Sequence, residues 1–390
     1  MAVSNWLARA LARAQLDTFT AGGTWVVADT MWIEINTRRV TFTATTTTAT
    51  HMITGLLAAL QASEIPEFTE ITWASPTSTT ITGTSEDGVP FTASCDKATA
   101  GTGTFTSATT TAATGPNHYN DVNNWTEGSV PAGSDTANVD LALGSILYGL
   151  SNAGATLTAM NVFSSGETQN TIGLPRTNAN GYTEYRTQEL TIDVTTLIIK
   201  ARSPRMRFNV GSVANTCEVR ETGQAIEEGV RAFLLQGTST SNAIDVQSGS
   251  VGLAFYDGDS YTPATVKVAE LGNVVTGTGC VIQTQLDSLG QLQTNGTCPT
   301  VLIGGGQADM RGTGPSTALT GTGGTIICKW SGTTTAVSLK NCVLDASQDL
   351  SSRTFSTYTP NEGSELIDPH RTITLTAIAR GTGVKRLLAA

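Results

Sequence analysis

Charge is scarce in this sequence. Asp, Glu, Lys and Arg together make up 14% of 390 residues, against about 25% in an ordinary globular domain. The formal net charge is −10, with 22 basic and 32 acidic residues. That acidic balance argues against a nucleic-acid-binding face, which needs clustered Lys and Arg, so no nucleic-acid partner is expected. No run of about 18 apolar residues occurs, so neither a membrane-spanning helix nor a membrane partner is expected. The N-terminal stretch is not an uninterrupted apolar segment, because Arg9 and Arg13 break it. No secretory signal is therefore expected, and synthesis in the cytoplasm is. The six cysteines form no C-x-x-C pair and have no His at zinc-ligand spacing. They read as buried free thiols acting as small hydrophobes. Aromatics are 6% and histidines only three.

What fills the space is Thr, the commonest residue of the chain, together with Gly, which occurs 40 times. That composition suits β-rich, turn-rich chains. It excludes a helical bundle, which needs Ala, Glu, Lys and Leu at helical spacing. The length accommodates two or three domains. Five segments are expected: a helical arm over 1–17, a small α+β domain over 18–114, a linker over 115–140, a β-solenoid over 141–370, and a C-terminal strand and basic tail over 371–390.

In the arm, Leu7 and Leu11 lie four apart with Arg9 and Arg13 on another face, which predicts a short helix over 3–15. Such a helix is marginal alone, so Trp6, Arg9 and Arg13 are candidate contacts to a partner or a sister subunit. In the small domain, alternation predicts strands around Trp25 to Ile35, with a turn at Ala28-Asp29, and a further strand from Val40. A helix is expected over 52–62, stopped by Pro66. Strands are expected over 68–74, 78–84 and 89–94, and a linker or last edge strand over 101–116.

Beyond residue 140 a weak, short-period repeat appears. Leu271-Gly272-Asn273-Val274 is echoed by Leu289-Gly290-Gln291-Leu292, then by Gly305-Gly306-Gln307-Ala308 and Gly323-Gly324-Thr325-Ile326. Val274, Leu292, Ala308, Ile326 and then Cys342 or Val343 share one register. A short fixed period with one apolar ladder is the mark of a β-solenoid, whose turns bury their inner faces only by stacking. Glycine suits the corners. Cys280 and Cys298 are placed in adjacent turns without a bond. Earlier turns are expected near 156–162, 190–199, 207–213, 232–236 and 244–255. Insertions over 163–188 and 256–263 leave the solenoid as lateral loops.

Chemistry is thin. His51, His118 and His370 lie far apart, and no G-x-S-x-G occurs, so no hydrolytic triad is expected. Asp257-Gly258-Asp259 suits a hard cation or an acid/base pair, but a turn is the favoured reading. Glu227-Glu228-Gly229 reads as a solvated turn. With Asp257 and Asp259, Glu184 and Glu189 are the other candidates for a carboxylate groove. Arg202, Arg205 and Arg207 suit an acidic partner surface, with solvated side chains on a turn exterior as the favoured alternative. The loop from Arg176 to Tyr182, with Tyr185 beyond it, suits protein contact, sugar stacking or a plain surface turn. The Gly-rich runs lack the Lys-Ser/Thr of a phosphate loop. No catalytic, cofactor or metal site is expected.

Two stretches carry a resemblance. Asn124-Trp125-Thr126-Glu127-Gly128-Ser129-Val130-Pro131, followed by Asp135 and Ala137, resembles the motif that opens bacterial and phage β-helix proteins. There Trp125 would cap the first turn. Gly23-Thr24-Trp25, Asp29, the helix near 56–60 and Pro66-Glu67-Phe68-Thr69-Glu70-Ile71-Thr72 resemble a small N-terminal domain of tailed-bacteriophage virion proteins. The resemblance implies a non-enzymatic virion structural protein, often a homotrimer. A capsid decoration or cement protein bound to the major capsid protein is the leading expectation. A tail fibre or tailspike that binds, and possibly cleaves, host polysaccharide is the alternative.

Overall fold

The computed structural model describes residues 2–379 and Gly381. Apart from Gly381, the expected basic tail lies outside the described residues. The chain is mainly β, with 52% strand and 5% helix. A parallel β-solenoid of about 12 turns runs from about residue 136 to 378, preceded by a small α+β domain.

The solenoid is built on two long inward columns. One runs Ala137, Met160, Leu197, Cys217, Ile244, Val266, Leu286, Val301, Leu319, Val337, Tyr358, Ile378, one residue per turn. The other runs Val251, Val274, Leu292, Ala308, Ile326, Leu344, Leu366. The repeat expected from sequence is this second column, corrected at one place. Leu344, not Cys342 or Val343, lies over Ile326. Alternation decides it: strand residues face in or out by turns, and only Leu344 keeps the parity of Ile326. A third, shorter column of Ile146, Ile172, Met206 and Phe233 widens the N-terminal half. Each buried aliphatic contributes about 1.5–3 kcal/mol relative to exposure, and stacking makes the gain continuous.

One corner shows why glycine recurs. Gly290, Gly306 and Gly324 stack, and a Cβ on each would run into the carbonyl of the glycine one turn below. Gly306 and Gly324 also have φ of +61° and +73°, a region side chains disfavour. All six cysteines are free. Burial pushes the Cys298 and Cys328 thiols up to about 12.

The N-terminal arm is not helical. Val3–Asn5 is a strand that pairs parallel with Thr136–Asp140 and starts the stack. Trp6 N donates to Asn138 O and Leu7 N to Asn124 O. Ala10 N donates to Asn124 Oδ1 at 2.8 Å. A helix too short to stand alone loses to an open sheet edge that satisfies the same backbone groups.

The small domain has a four-stranded antiparallel sheet in the order Thr72–Thr77, Thr80–Thr84, Leu16–Gly22, Thr104–Thr111, and a three-stranded one in the order Arg38–Thr43, Thr30–Ile35, Ser94–Ala98. Helix α1 (Ala49–Gln61) packs Met52, Ile53, Leu56 and Leu60 into the core. It begins ahead of the expected start at Met52 because Thr48 caps it, its side chain accepting from His51 N. Three strand expectations change. Residues 25–29 form a turn, with Asp29 Oδ2 accepting from Val26 N. Pro66–Thr69 is a short helix, consistent with Pro at a first helical turn. The strand expected over 89–94 falls instead at Ser94–Ala98. The expected last edge strand is present at Thr104–Thr111.

Candidate functional site

Two loops that leave the stack carry polar clusters, and residues of both line one groove. The first loop spans residues 164–189. Part of it is a clasp onto the small domain. Glu70 of that domain accepts from Arg186 Nη2 at 2.9 Å, Tyr182 OH at 2.5 Å and Asn178 Nδ2 at 3.3 Å. Arg186 Nε also donates to Glu184 Oε1 at 2.7 Å. Burial weakens the Arg186 cation, but Glu184 and Glu70 more than offset it, so the guanidinium is held above its usual range. Tyr185 packs against the small-domain core, and burial pushes its phenol up to about 12. The loop, read from sequence as suiting protein contact, sugar stacking or a plain surface turn, packs against the small domain of its own chain.

A second loop, residues 223–231, was not singled out as an insertion in the sequence. Its signal was Gly223 and Gly229 bracketing Glu227-Glu228 between two apolar strands. Together with residues 167–169 and the turn exteriors near 248–250 and 271–273, it walls a groove of about 860 Å³. Arg202, Arg231, Glu167, Glu227, Glu228, Gln169, Gln224 and Asn273 line it. Behind the loop, two guanidinium groups approach the Tyr256 ring. Arg176 is 4.3 Å and Arg207 5.0 Å from the ring centroid. Arg205 reaches Glu227 at 3.5 Å. Burial pulls the Arg205 cation below its usual range, against the attraction of Glu227. Burial alone does the same to Arg231, whose Nε is buried without a hydrogen-bond partner.

The residues singled out from sequence distribute as follows. Trp6 is 1% exposed, 5.2 Å edge-on from Trp125, and Tyr119 stands 5.2 Å from Trp125 on its own side. The three rings close the N-terminal end of the stack, so Trp6 offers no surface to a partner. Trp125 occupies the capping place that the resemblance gave it. Arg9 and Arg13 are exposed, with Arg9 Nε donating to Asn123 O at 3.2 Å. Arg202 is exposed and pairs with Glu221 at 2.6 Å and Glu167 at 3.6 Å. Arg207 is 7% exposed and donates to Gln188 Oε1 at 2.8 Å. It is therefore not a solvated exterior residue. Asp257-Gly258-Asp259 is a turn, closed by Tyr256 N donating to Asp259 Oδ2 with Gly258 at φ +91°. Glu184 is tied to Arg186, while Glu189 accepts from Gln236 and Asn209, so each serves a different contact. Among the described residues, no group of three or more His, Cys, Asp or Glu is placed to hold a metal ion.

No protein family matches this sequence, and neither a curated protein nor a solved structure shows significant similarity to it.

Proposed function

We propose that the chain is a non-enzymatic structural protein of a tailed-phage particle, a decoration or cement protein that binds the major capsid protein and sister copies as a homotrimer. One observation carries the reading: the small domain is locked to the capped end of a stiff solenoid. Val3–Asn5 is woven into the stack, Glu70 is clasped by the first lateral loop, and the Gly88 carbonyl accepts from His118 Nε2 at 2.9 Å. An anchor fused rigidly to a rod suits a protein that spans or stands on a shell. A second reading, the tail fibre or tailspike that meets host polysaccharide, draws on the polar groove of the flank. Immunogold electron microscopy of particles with antibody to this chain tests both. Gold over the head supports decoration. Gold confined to the tail tip overturns it in favour of the fibre, and unlabelled particles overturn both.

A further inference from the structure

We propose that the groove between residues 167–169 and 223–231 binds an acidic saccharide, with Arg231 pairing the sugar carboxylate. The inference rests on the second reading above, that the solenoid flank meets polysaccharide.

Charge balance is the first argument. Four arginines gather around Tyr256 and the loop; Arg176, Arg205 and Arg207 lie behind it, and Arg231 alone of the four lines the groove, beside Arg202, Glu167, Glu227 and Glu228. Among the described residues, Glu227 is the one carboxylate that pairs with any of the four. The Glu167 and Glu221 carboxylates are engaged by Arg202. Arg231 is half-buried, has no ion pair among the described residues, and keeps Nε desolvated without an acceptor. A desolvated cation without a counter-charge is unfavourable. A carboxylate in the groove supplies that counter-charge; because Nε itself is buried, the two parallel hydrogen bonds come from the terminal Nη atoms.

The rest of the lining fixes the kind of molecule. Gln169, Gln224, Asn273, Thr222 and Ser248 face the same groove. Amides and hydroxyls both donate and accept, as sugar hydroxyls require. No aromatic residue lines the groove, which removes the ring stacking that single-stranded nucleic acid uses and leaves a bound sugar held by hydrogen bonds and charge alone. Glu228 also lines it and has no ion pair among the described residues. It repels a second anion nearby, so a polymer that alternates acidic and neutral sugars fits best.

The test is calorimetric titration of the full chain with a hyaluronan hexasaccharide, which has that alternation. Binding is expected, weakening about fivefold between about 20 and 150 mM salt. Arg231→Gln should weaken it about tenfold, and Arg231→Lys, which keeps charge but not the fork, about threefold. Arg13→Gln should bind as wild type. The lysine variant keeps the test decisive where glutamine impairs folding. No binding by the folded wild type overturns the proposal. So does equal binding of neutral N-acetylglucosamine hexamer or of inorganic phosphate, or undiminished binding by both Arg231 variants. Gold on the head together with a positive titration removes the tail reading and leaves the site. Gold at the tail tip without binding removes the site alone.

Discussion

Arg186 of the solenoid's first lateral loop lies 2.9 Å from Glu70 of the small domain, and the two side chains keep only 13% and 23% of their exposure. This contact joins residues 116 positions apart. With the Val3–Asn5 strand in the stack and the His118–Gly88 hydrogen bond, it fixes the orientation of one folding unit on another.

Glu70→Ala should therefore loosen the seam more than the fold of either part. Arg186 would keep Glu184, but Tyr182 OH would lose its acceptor. The expected loss is about 1–3 kcal/mol, typical of a half-buried charged hydrogen bond. Limited proteolysis should show faster cleavage near residues 112–117, with both fragments persisting. Cleavage at the wild-type rate would mean that the clasp does not hold the units together.

The capping tryptophans should respond differently to the same substitution. Trp125 Nε1 donates to Tyr119 O at 2.8 Å, whereas Trp6 Nε1 is buried without a partner. Trp6→Phe removes an unsatisfied donor and should cost little, under about 1.5 kcal/mol. Trp125→Phe strands a buried carbonyl and should cost about 1–3 kcal/mol more. Alanine at either position should cost about 3–5 kcal/mol. Urea unfolding of the four variants reads these differences, and equal costs for the two phenylalanine variants would refute the assignment.

The solenoid was legible because it repeats. Val274, Leu292, Ala308 and Ile326 are almost evenly spaced along the chain, and that near-constant spacing is the stack itself. The arm was misread for the opposite reason. Leu7 and Leu11 give a helical spacing, but the strand partner of Val3–Asn5 is Thr136–Asp140, beyond the whole small domain, where no local pattern points to it. Long-range pairing also hid the site. Arg207 stood out only with its neighbours Arg202 and Arg205, Arg231 did not stand out at all, and nothing local brings Arg176 to Tyr256. The carboxylates that looked like a group do not gather: Asp257 is exposed in a turn, while Asp259, Glu184 and Glu189 each accept from different donors.

Register makes a sharper prediction about whole turns. Gln307 pairs with Thr325 and Ala308 with Ile326. Deleting residues 308–325 joins Gln307 to Ile326, removes one full turn, and places Ile326 over Leu292. A folded protein of unchanged circular-dichroism shape is expected, since neighbouring turns share one inward pattern. Deleting residues 308–316 instead breaks both columns and should unfold the C-terminal half. Equal tolerance of the two deletions would contradict the register.

His118 should make the seam sensitive to mild acid. Its ring is 4% exposed, donates from Nε2 to Gly88 O at 2.9 Å, and lies 5.2 Å from the Tyr148 ring. Burial holds its pKa below the ordinary 6.5, outweighing the Gly88 carbonyl and Asp121, which act the other way. The folded chain thus takes up this proton at a lower pH than the unfolded chain. Stability is fully present above about pH 6.5 and is lost as pH falls from there toward the folded value, because the unfolded state binds more protons in that window. Carboxylates held low, such as Asp135 with its backbone donors Ala2 and Ala132, act further down, near the ordinary carboxylate range of about 4. His118→Gln keeps a donor for Gly88 O and removes the titration. Urea midpoints measured between about pH 7.5 and 5 should therefore fall for the wild type and stay level for the variant. Parallel declines would show that acid sensitivity in this range arises elsewhere in the chain.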